Sequence, residues 1–193
     1  MVAFIQSCFV SALFFVSFVS PTLAAPLLFS RQDSAHTFTL INQCTESVTP
    51  IFANTACGYS PRCDGAGYYS ATQPGTIAGG GGTATATAPY AWVGRLFAQT
   101  GSCGASGEGC TMTEFNLDTG SAYTAQNYDI SNIQGFTQSI SIEAAGCDTV
   151  TCTSADCGCS EAYPIGDESG CGDDLANRAC GPGGIAFTIT FCP

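Results

Sequence analysis

Apolar and polar residues alternate in short runs along most of this 193-residue chain, and no run holds a helical period over three turns. Thr37-Phe38-Thr39-Leu40 alternates as a half-buried strand does, and Val48 to Phe52 reads as its hairpin partner. Tyr90 to Gln99, Thr113 to Leu117 and Gln138 to Glu143 predict further strands. The clearest is Ile185 to Phe191, where Ile185, Phe187, Ile189 and Phe191 point one way and Ala186, Thr188 and Thr190 the other. The stretch 56–88 holds Pro61, Pro74, four glycines from Gly79 to Gly82 and then Thr83-Ala-Thr-Ala-Thr-Ala-Pro89. It predicts a mobile surface loop whose threonines are open to O-glycans. Asp173 to Ala179 predicts one or two helical turns behind an acidic cap. Short strands joined by Gly- and Pro-rich links, with no internal repeat or break, argue one all-β sandwich or barrel.

Residues 1–24 carry no charged side chain and run from an apolar core to Pro21 and Thr22-Leu23-Ala24. That is the order of a secretory signal peptide, with cleavage after Ala24 or Ala25. Its shortness and Pro21 argue against a transmembrane anchor. Residues 25–36 show no period and are expected to form a pro-segment or flexible arm, leaving 37–193 as the folded domain. His36 is expected to be solvated at a strand start. Removing the leader takes Cys8 and leaves twelve cysteines. In a secreted chain that even number predicts up to six disulfides. Cys152, Cys157 and Cys159 are close enough to suggest zinc, but a single histidine and an oxidising route argue against it. No metal and no cofactor is expected.

There is no lysine, and four arginines face 15 carboxylates for a net charge of −11. Such a surface repels phosphate backbones and anionic lipid, which excludes nucleic acid and membrane and leaves neutral polymers as partners. One histidine argues against Ser-His-Asp and Cys-His centres, and the glycine tract precedes no phosphate-binding lysine. Carboxylate chemistry remains. Strand alternation puts Val93, Arg95, Phe97 and Gln99 on one face, and Glu114 with Asn116 opposite Phe115 and Leu117. The plainer reading is a salt bridge between Arg95 and a carboxylate on the sheet surface. The sharper one is a polar cleft in which Arg95 orients several carboxylates, two of which cleave a glycosidic bond. Spacing leaves both open.

Asp129-Ile-Ser-Asn-Ile-Gln-Gly-Phe136 and the chain end Ile185-Ala-Phe-Thr-Ile-Thr-Phe-Cys192-Pro193 resemble two signatures of the thaumatin-like proteins, in that family's order. Phe38-Thr-Leu-Ile-Asn-Gln-Cys44 is similar to the family's first strand and first cysteine. Arg95-Leu-Phe-Ala-Gln-Thr-Gly-Ser-Cys103 and Thr113-Glu-Phe-Asn-Leu117 resemble its arginine-bearing strand and its Glu-Phe-x-Leu strand. The resemblance spans residues 37 to 193. It implies an all-β, disulfide-stapled β-sandwich of thaumatin-like type, with the family's helical cysteine-rich lobe reduced because the chain after Phe136 is short. It implies a Cys44–Cys192 bridge from first strand to last and a local Cys103–Cys110 loop.

The resemblance also implies an acidic cleft of one arginine, one glutamate and three aspartates. Arg95, Glu114 and Asp129 match the first three of these by local motif. The second aspartate falls at Gln134, an amide here, and the nearest match to the third is Asp167 in Glu161-Ala-Tyr-Pro-Ile-Gly-Asp167. Tyr128 and Phe136 flank the Asp129 run and are candidate stacking surfaces for sugar rings, Phe136 more readily as core. The implied function is a secreted, monomeric β-1,3-glucan-binding protein of antifungal or wall-remodelling type. Some members are weak endo-β-1,3-glucanases, which here would use Glu114 as proton donor and Asp129 as its partner. The alternative is a non-catalytic extracellular module or inhibitor recognising a protein, which Gln134 and the reduced lobe favour.

Overall fold

The computed structural model of the protein describes residues 34–54, 71–118 and 125–193. The proposed leader, most of the arm, Cys57 and Cys63 lie outside the described residues. Ten strands form two five-stranded sheets, with no α-helix among the described residues. The first sheet has the order β3-β1-β10-β7-β8, from β1 (His36–Asn42), β3 (Gly82–Ala88), β7 (Ile140–Ala144), β8 (Thr149–Cys152) and β10 (Ala186–Phe191). The second has the order β2-β4-β5-β6-β9, from β2 (Pro50–Asn54), β4 (Trp92–Ala98), β5 (Met112–Leu117), β6 (Gln126–Ser131) and β9 (Arg178–Cys180). This is a disulfide-stapled β-sandwich.

Period-two burial builds the interior. Phe38 and Leu40 from β1 and Phe187, Ile189 and Phe191 from β10 face Leu96, Phe115, Leu117, Tyr128 and Ile130 of the second sheet, all of them buried. Phe38 is the hub. Its ring lies 5.1 Å from Phe187 in its own sheet and 5.0, 6.0 and 5.2 Å from Phe52, Trp92 and Phe115 across the interface. Edge-to-face packing of this kind adds to the area the rings bury. Trp92 donates its indole N–H to Asn54 Oδ1 at 2.8 Å, so the one polar atom of the ring is satisfied. Its six-membered ring lies over Gly94, where an added Cβ would sit 2.1 Å from a ring carbon and 2.8 Å from the Ala53 carbonyl oxygen.

β1 and β10 pair in parallel, while every other strand pair is antiparallel. Parallel pairing joins the first and last strands side by side, and Cys44–Cys192 bridges them just past their C-terminal ends. Four further bridges are Cys103–Cys110, Cys147–Cys180, Cys152–Cys157 and Cys159–Cys171. The two pairings implied by the resemblance are present. Cys152, Cys157 and Cys159 are consumed in bridges and offer no free thiolate. Disulfides of this number belong to an oxidising compartment.

Several local expectations are corrected. β1 begins at His36, which is fully buried rather than solvated. Its Nδ1 accepts the Ile185 N–H at 3.1 Å, which leaves the ring proton on Nε2, 3.1 Å from the Tyr90 carbonyl and 3.2 Å from Asp118 Oδ2. Val48 to Phe52 is not the hairpin partner of β1: β2 pairs with β4 in the other sheet. The Gly-Thr-Ala tract is not a loose loop but β3, paired with β1 along its whole length. Its inward Ala86 and Ala88 are small enough to fit against the core. Asp173 to Ala179 is not helical: a single 3-10 turn lies at Gly170–Gly172, and Arg178–Cys180 is an edge strand.

Two stability outcomes follow from this packing. On the chain-entropy account, opening a loop as long as that closed by Cys44–Cys192 costs about 5 kcal/mol, and measured losses for native bridges run about 2–5 kcal/mol. Replacing both cysteines by alanine should lower denaturant stability by that amount. Gly94→Ala should cost about 1–3 kcal/mol or more by overpacking. Equal midpoints for Gly94→Ala and wild type in urea melts would contradict the Trp92 contact.

Candidate functional site

The outer face of the second sheet carries a polar row that register alone creates. Arg95 on β4 pairs directly with Glu114 on β5, and Glu114 pairs directly with Asp129 on β6. Directly opposite residues share a face and hold their Cβ atoms about 5 Å apart. The alternate residues Leu96, Phe115, Tyr128 and Ile130 go into the core, so the row faces away from it. A satellite apolar cluster of Ala53, Phe97, Cys110 and Met112, joined by Ile51 and Cys103, lies next to the row on that side. The loop closed by Cys103–Cys110 thus walls the arginine end, and Arg95 is 3% exposed. The turn after β6 leans on this loop: a Cβ on Gly135 would lie 2.6 Å from the Gly109 carbonyl oxygen.

The other wall is the segment after β8. Tyr163 bridges to Ser131 through Tyr163 N–H to the Ile130 carbonyl, 3.0 Å, and Asn132 N–H to the Tyr163 carbonyl, 2.9 Å. The Tyr163 hydroxyl donates to Asp174 Oδ1 at 3.1 Å. Gly170 makes that contact geometrically feasible. Its φ of +61° suits glycine, and a Cβ there would meet Asp174 Oδ1 at 2.4 Å and the Tyr163 ring at 2.8 Å. Arg178 fixes the segment by donating to the Leu175, Ala176 and Asn177 carbonyls from Nη1 and to the Ser160 carbonyl from Nη2.

The carboxyls of this site compete for protons. Burial pushes Asp129 well above the usual aspartate range, and the charges of Glu114 and Asp174 push it further. Burial also raises Glu114, but the Arg95 guanidinium and a hydrogen bond from Ser131 pull it back. Burial, then the Asp129 and Asp174 charges and the Asp174 hydrogen bond, hold the Tyr163 phenol up as the neutral donor. Asp129 Oδ1 has no protein partner. The pair therefore consists of one carboxyl favouring its acid form and one, beside the arginine, nearer its ionised form.

Of the six residues picked out in the sequence, Arg95, Glu114 and Asp129 come together in one row. Gln134 is exposed on the turn beyond β6, closed by Gly135 N–H to the Asn132 carbonyl at 2.8 Å. Asp167 serves its own turn: it accepts from the Ser169 N–H at 2.8 Å, from the Ser169 hydroxyl and from the Cys171 N–H at 3.2 Å, which hold its carboxyl below the usual range. The acid that this segment turns toward Asp129 is Asp174. Tyr128 offers no stacking surface, because its ring is fully buried 5.6 Å from Phe187 and its hydroxyl donates to the Asp148 carbonyl. Tyr163, Ser131 and Asp174 were missed in the sequence. Their only signals were the Asp129-Ile-Ser131 run and the Asp173-Asp174 pair, which read as a helix cap.

The comparisons with known proteins agree with this architecture. The chain is 30% identical over 182 residues to pathogenesis-related protein 1A/1B of Hordeum vulgare, covering 86% of this chain and 93% of the relative. It is 30% identical over 184 residues to the thaumatin-like protein PWIR2 of Triticum aestivum, covering 90% of this chain and 98% of that one. The chain belongs to the thaumatin-like family of pathogenesis-related proteins, a defence-related group. Among solved structures, the thaumatin-like xylanase inhibitor TLXI superposes with a TM-score of 0.52 at 16% identity over 81% of this chain and 99% of that one. The protein elicitor MoHrip2 from Magnaporthe oryzae gives 0.54 at 18% identity over 82% and 100%. No protein-family model matches the chain.

The acid pair has a pH signature. With its value raised, folded Asp129 keeps a proton that the unfolded chain has released, so stability is full below the ordinary aspartate range and falls as pH rises through the raised value. Each pH unit of that window is worth about 1.4 kcal/mol. Asp129→Asn should flatten the fall, leaving the smaller same-direction share of Glu114. Melting temperatures across acidic to mildly basic buffers with the same slope in both proteins would contradict this coupling.

Proposed function

We propose that the chain is a secreted binder of β-1,3-glucan or a related neutral cell-wall polysaccharide, with weak hydrolysis within reach of its acidic cleft. The observation that carries this reading is the in-register row of Arg95, Glu114 and Asp129. A neutral polymer meets no net repulsion from a chain of charge −11. The Glu114 carboxyl would supply acceptors for sugar hydroxyls, while Asp129 Oδ1 lies buried beneath it without a protein partner. Gln134, exposed on the adjoining turn, would add an amide contact at the rim.

Hydrolysis would follow from the same pair. Asp129, held in its acid form, would protonate the glycosidic oxygen, while Glu114, kept nearer ionisation by Arg95, would stabilise or attack the developing oxocarbenium centre. This reverses the roles implied by the resemblance, because the arginine sits beside Glu114 and not beside Asp129. Direct pairing on adjacent strands sets the Cβ atoms of the two acids about 5 Å apart, so the pair would suit a mechanism in which two carboxyls act at short range. The amide at Gln134 and the position of Asp167 leave fewer acids than a full cleft, which favours binding over turnover.

A second reading has its own support. Ile165 and Leu175, the two exposed large apolar residues among those described, both lie in the segment that walls the cleft, each 54% exposed. Apolar anchors beside a polar cleft suit a protein partner, and the neighbour TLXI is an inhibitor of xylanase.

Incubating the mature protein with insoluble β-1,3-glucan separates these readings. Wild type should pellet with the glucan, and Glu114→Gln should weaken that retention by about tenfold, the loss of one charge-assisted contact. Reducing ends, if released, should vanish in Asp129→Asn. Wild-type protein that stays in the supernatant would overturn the glucan reading and direct the search to protein partners through Ile165→Asp and Leu175→Asp.

A further inference from the structure

Register builds more on the outer face of the second sheet than the acidic row. One step along the strands lies a second row, in which Val93 on β4 pairs directly with Asn116 on β5, Asn116 with Asn127 on β6, and Asn127 with Ala179 on β9. Period two turns it to the same face as Arg95, Glu114 and Asp129, about 6.8 Å away. Val93, Asn116 and Asn127 are half-buried and Ala179 is exposed. The row on the other side of the acids is Phe97, Met112 and Ser131, all buried. Phe97 and Met112 lie under the loop closed by Cys103–Cys110, where a Cβ added to Gly107 would sit 2.9 Å from Met112 Cε and 3.2 Å from Phe97 Cδ1. Of the two rows flanking the acids, only the amide row is open to a ligand.

Packing does not account for two facing asparagines. Asparagine is depleted from strands, and β5 and β6 each have a paired neighbour on both sides, where a β-branched residue is the ordinary choice. No turn claims the pair, because the register runs unbroken from Met112 opposite Ser131 to Leu117 opposite Gln126. The row also lacks any ionisable side chain, in a chain of net charge −11. Asn127 Nδ2 reaches Asn177 Oδ1 at 3.4 Å, so a third amide, itself exposed, closes the row beside the segment that walls the cleft.

The two rows differ in what they offer a ligand. An ionised carboxylate only accepts hydrogen bonds, whereas an asparagine amide donates two and accepts on its oxygen. Sugar hydroxyls donate and accept, and an uncharged amide asks for no counter-charge. We infer that Asn116 and Asn127, with Asn177 at their end, form a second subsite that takes further units of the same neutral polysaccharide. Val93 gives this subsite an apolar patch against which a ring face can lie. A chain running along the strands meets the acids first and the amides one or two rings later, so the amides make tight binding depend on chain length. The inference rests on the glucan reading of the acidic row and extends it.

The test is calorimetric titration with a β-1,3-gluco-disaccharide and a hexasaccharide of wild type and of the double variant Asn116→Val, Asn127→Val, with Asn116→Thr as the milder single change. Valine and threonine favour strands, so melting temperatures should match or exceed wild type. Wild type should bind the hexasaccharide about tenfold more tightly than the double variant, the share of two neutral hydrogen bonds. The disaccharide should bind both proteins equally. Folded variants that keep the full gain from disaccharide to hexasaccharide would overturn the amide subsite and leave the glucan reading standing. A double variant that melts lower and loses both ligands alike would show the amides to be structural and overturn it too. Wild type that binds neither sugar would overturn both readings.

Discussion

The parallel pairing of β1 with β10 is the constraint on which the rest of the structure depends. It brings the two ends of the described domain to the middle of one sheet, where each has a partner on its other side. At one end Cys44–Cys192 bridges the pair. At the other, buried His36 accepts from Ile185 while its Nε2 approaches Asp118 at the end of β5, so a single ring ties the pair to the opposite sheet. Phe38 and Phe187 sit opposite one another in that pairing and form the centre of the aromatic core. Because the core is pinned there, the second sheet can carry a row of charged residues on its outer face.

What that outer face carries is a consequence of period two. Leu96 of β4, Phe115 and Leu117 of β5 and Tyr128 and Ile130 of β6 turn into the main core, so Arg95, Glu114 and Asp129 take the outer face. Antiparallel register then aligns them without any further device. The costs of crowding carboxyls are met locally: an arginine beside one, a hydroxyl from Ser131, and a neutral phenol from Tyr163 on Asp174. The walls come from two disulfide-closed loops, Cys103–Cys110 on one side and the Cys159–Cys171 segment on the other. Walls closed by disulfides have little conformational entropy left to lose.

Much of this was legible in the sequence. The alternation of Ile185 to Phe191 and of Thr113 to Leu117 placed the correct residues inside, and the Arg95, Glu114 and Asp129 motifs led to one row. The illegible parts have physical causes. β3 was read as a loop because Gly-Thr-Ala-Thr-Ala has no large apolar residue, yet a strand lying against Phe38 and Leu40 needs only alanines. His36 looked solvated because its partners are separated from it by 54 and 149 residues. Tyr128 looked like a platform because a motif does not say which face a residue takes, and its neighbour Asp129 claims the outer one. Asp174 was hidden because it reaches the site through a turn with φ of +54°, a conformation that sequence period does not describe.

The central claim is that Asp129 and Glu114 form a coupled pair in which Asp129 holds the proton and a neutral glycan is the ligand. Carboxyl carbon shifts of both residues, followed by NMR through a pH titration with and without a soluble β-1,3-gluco-oligosaccharide, test it most directly. The account predicts that Asp129 titrates well above the ordinary aspartate range and later than Glu114, and that the oligosaccharide shifts both resonances. Two independent titrations in the ordinary carboxylate range, unmoved by the sugar, would contradict it.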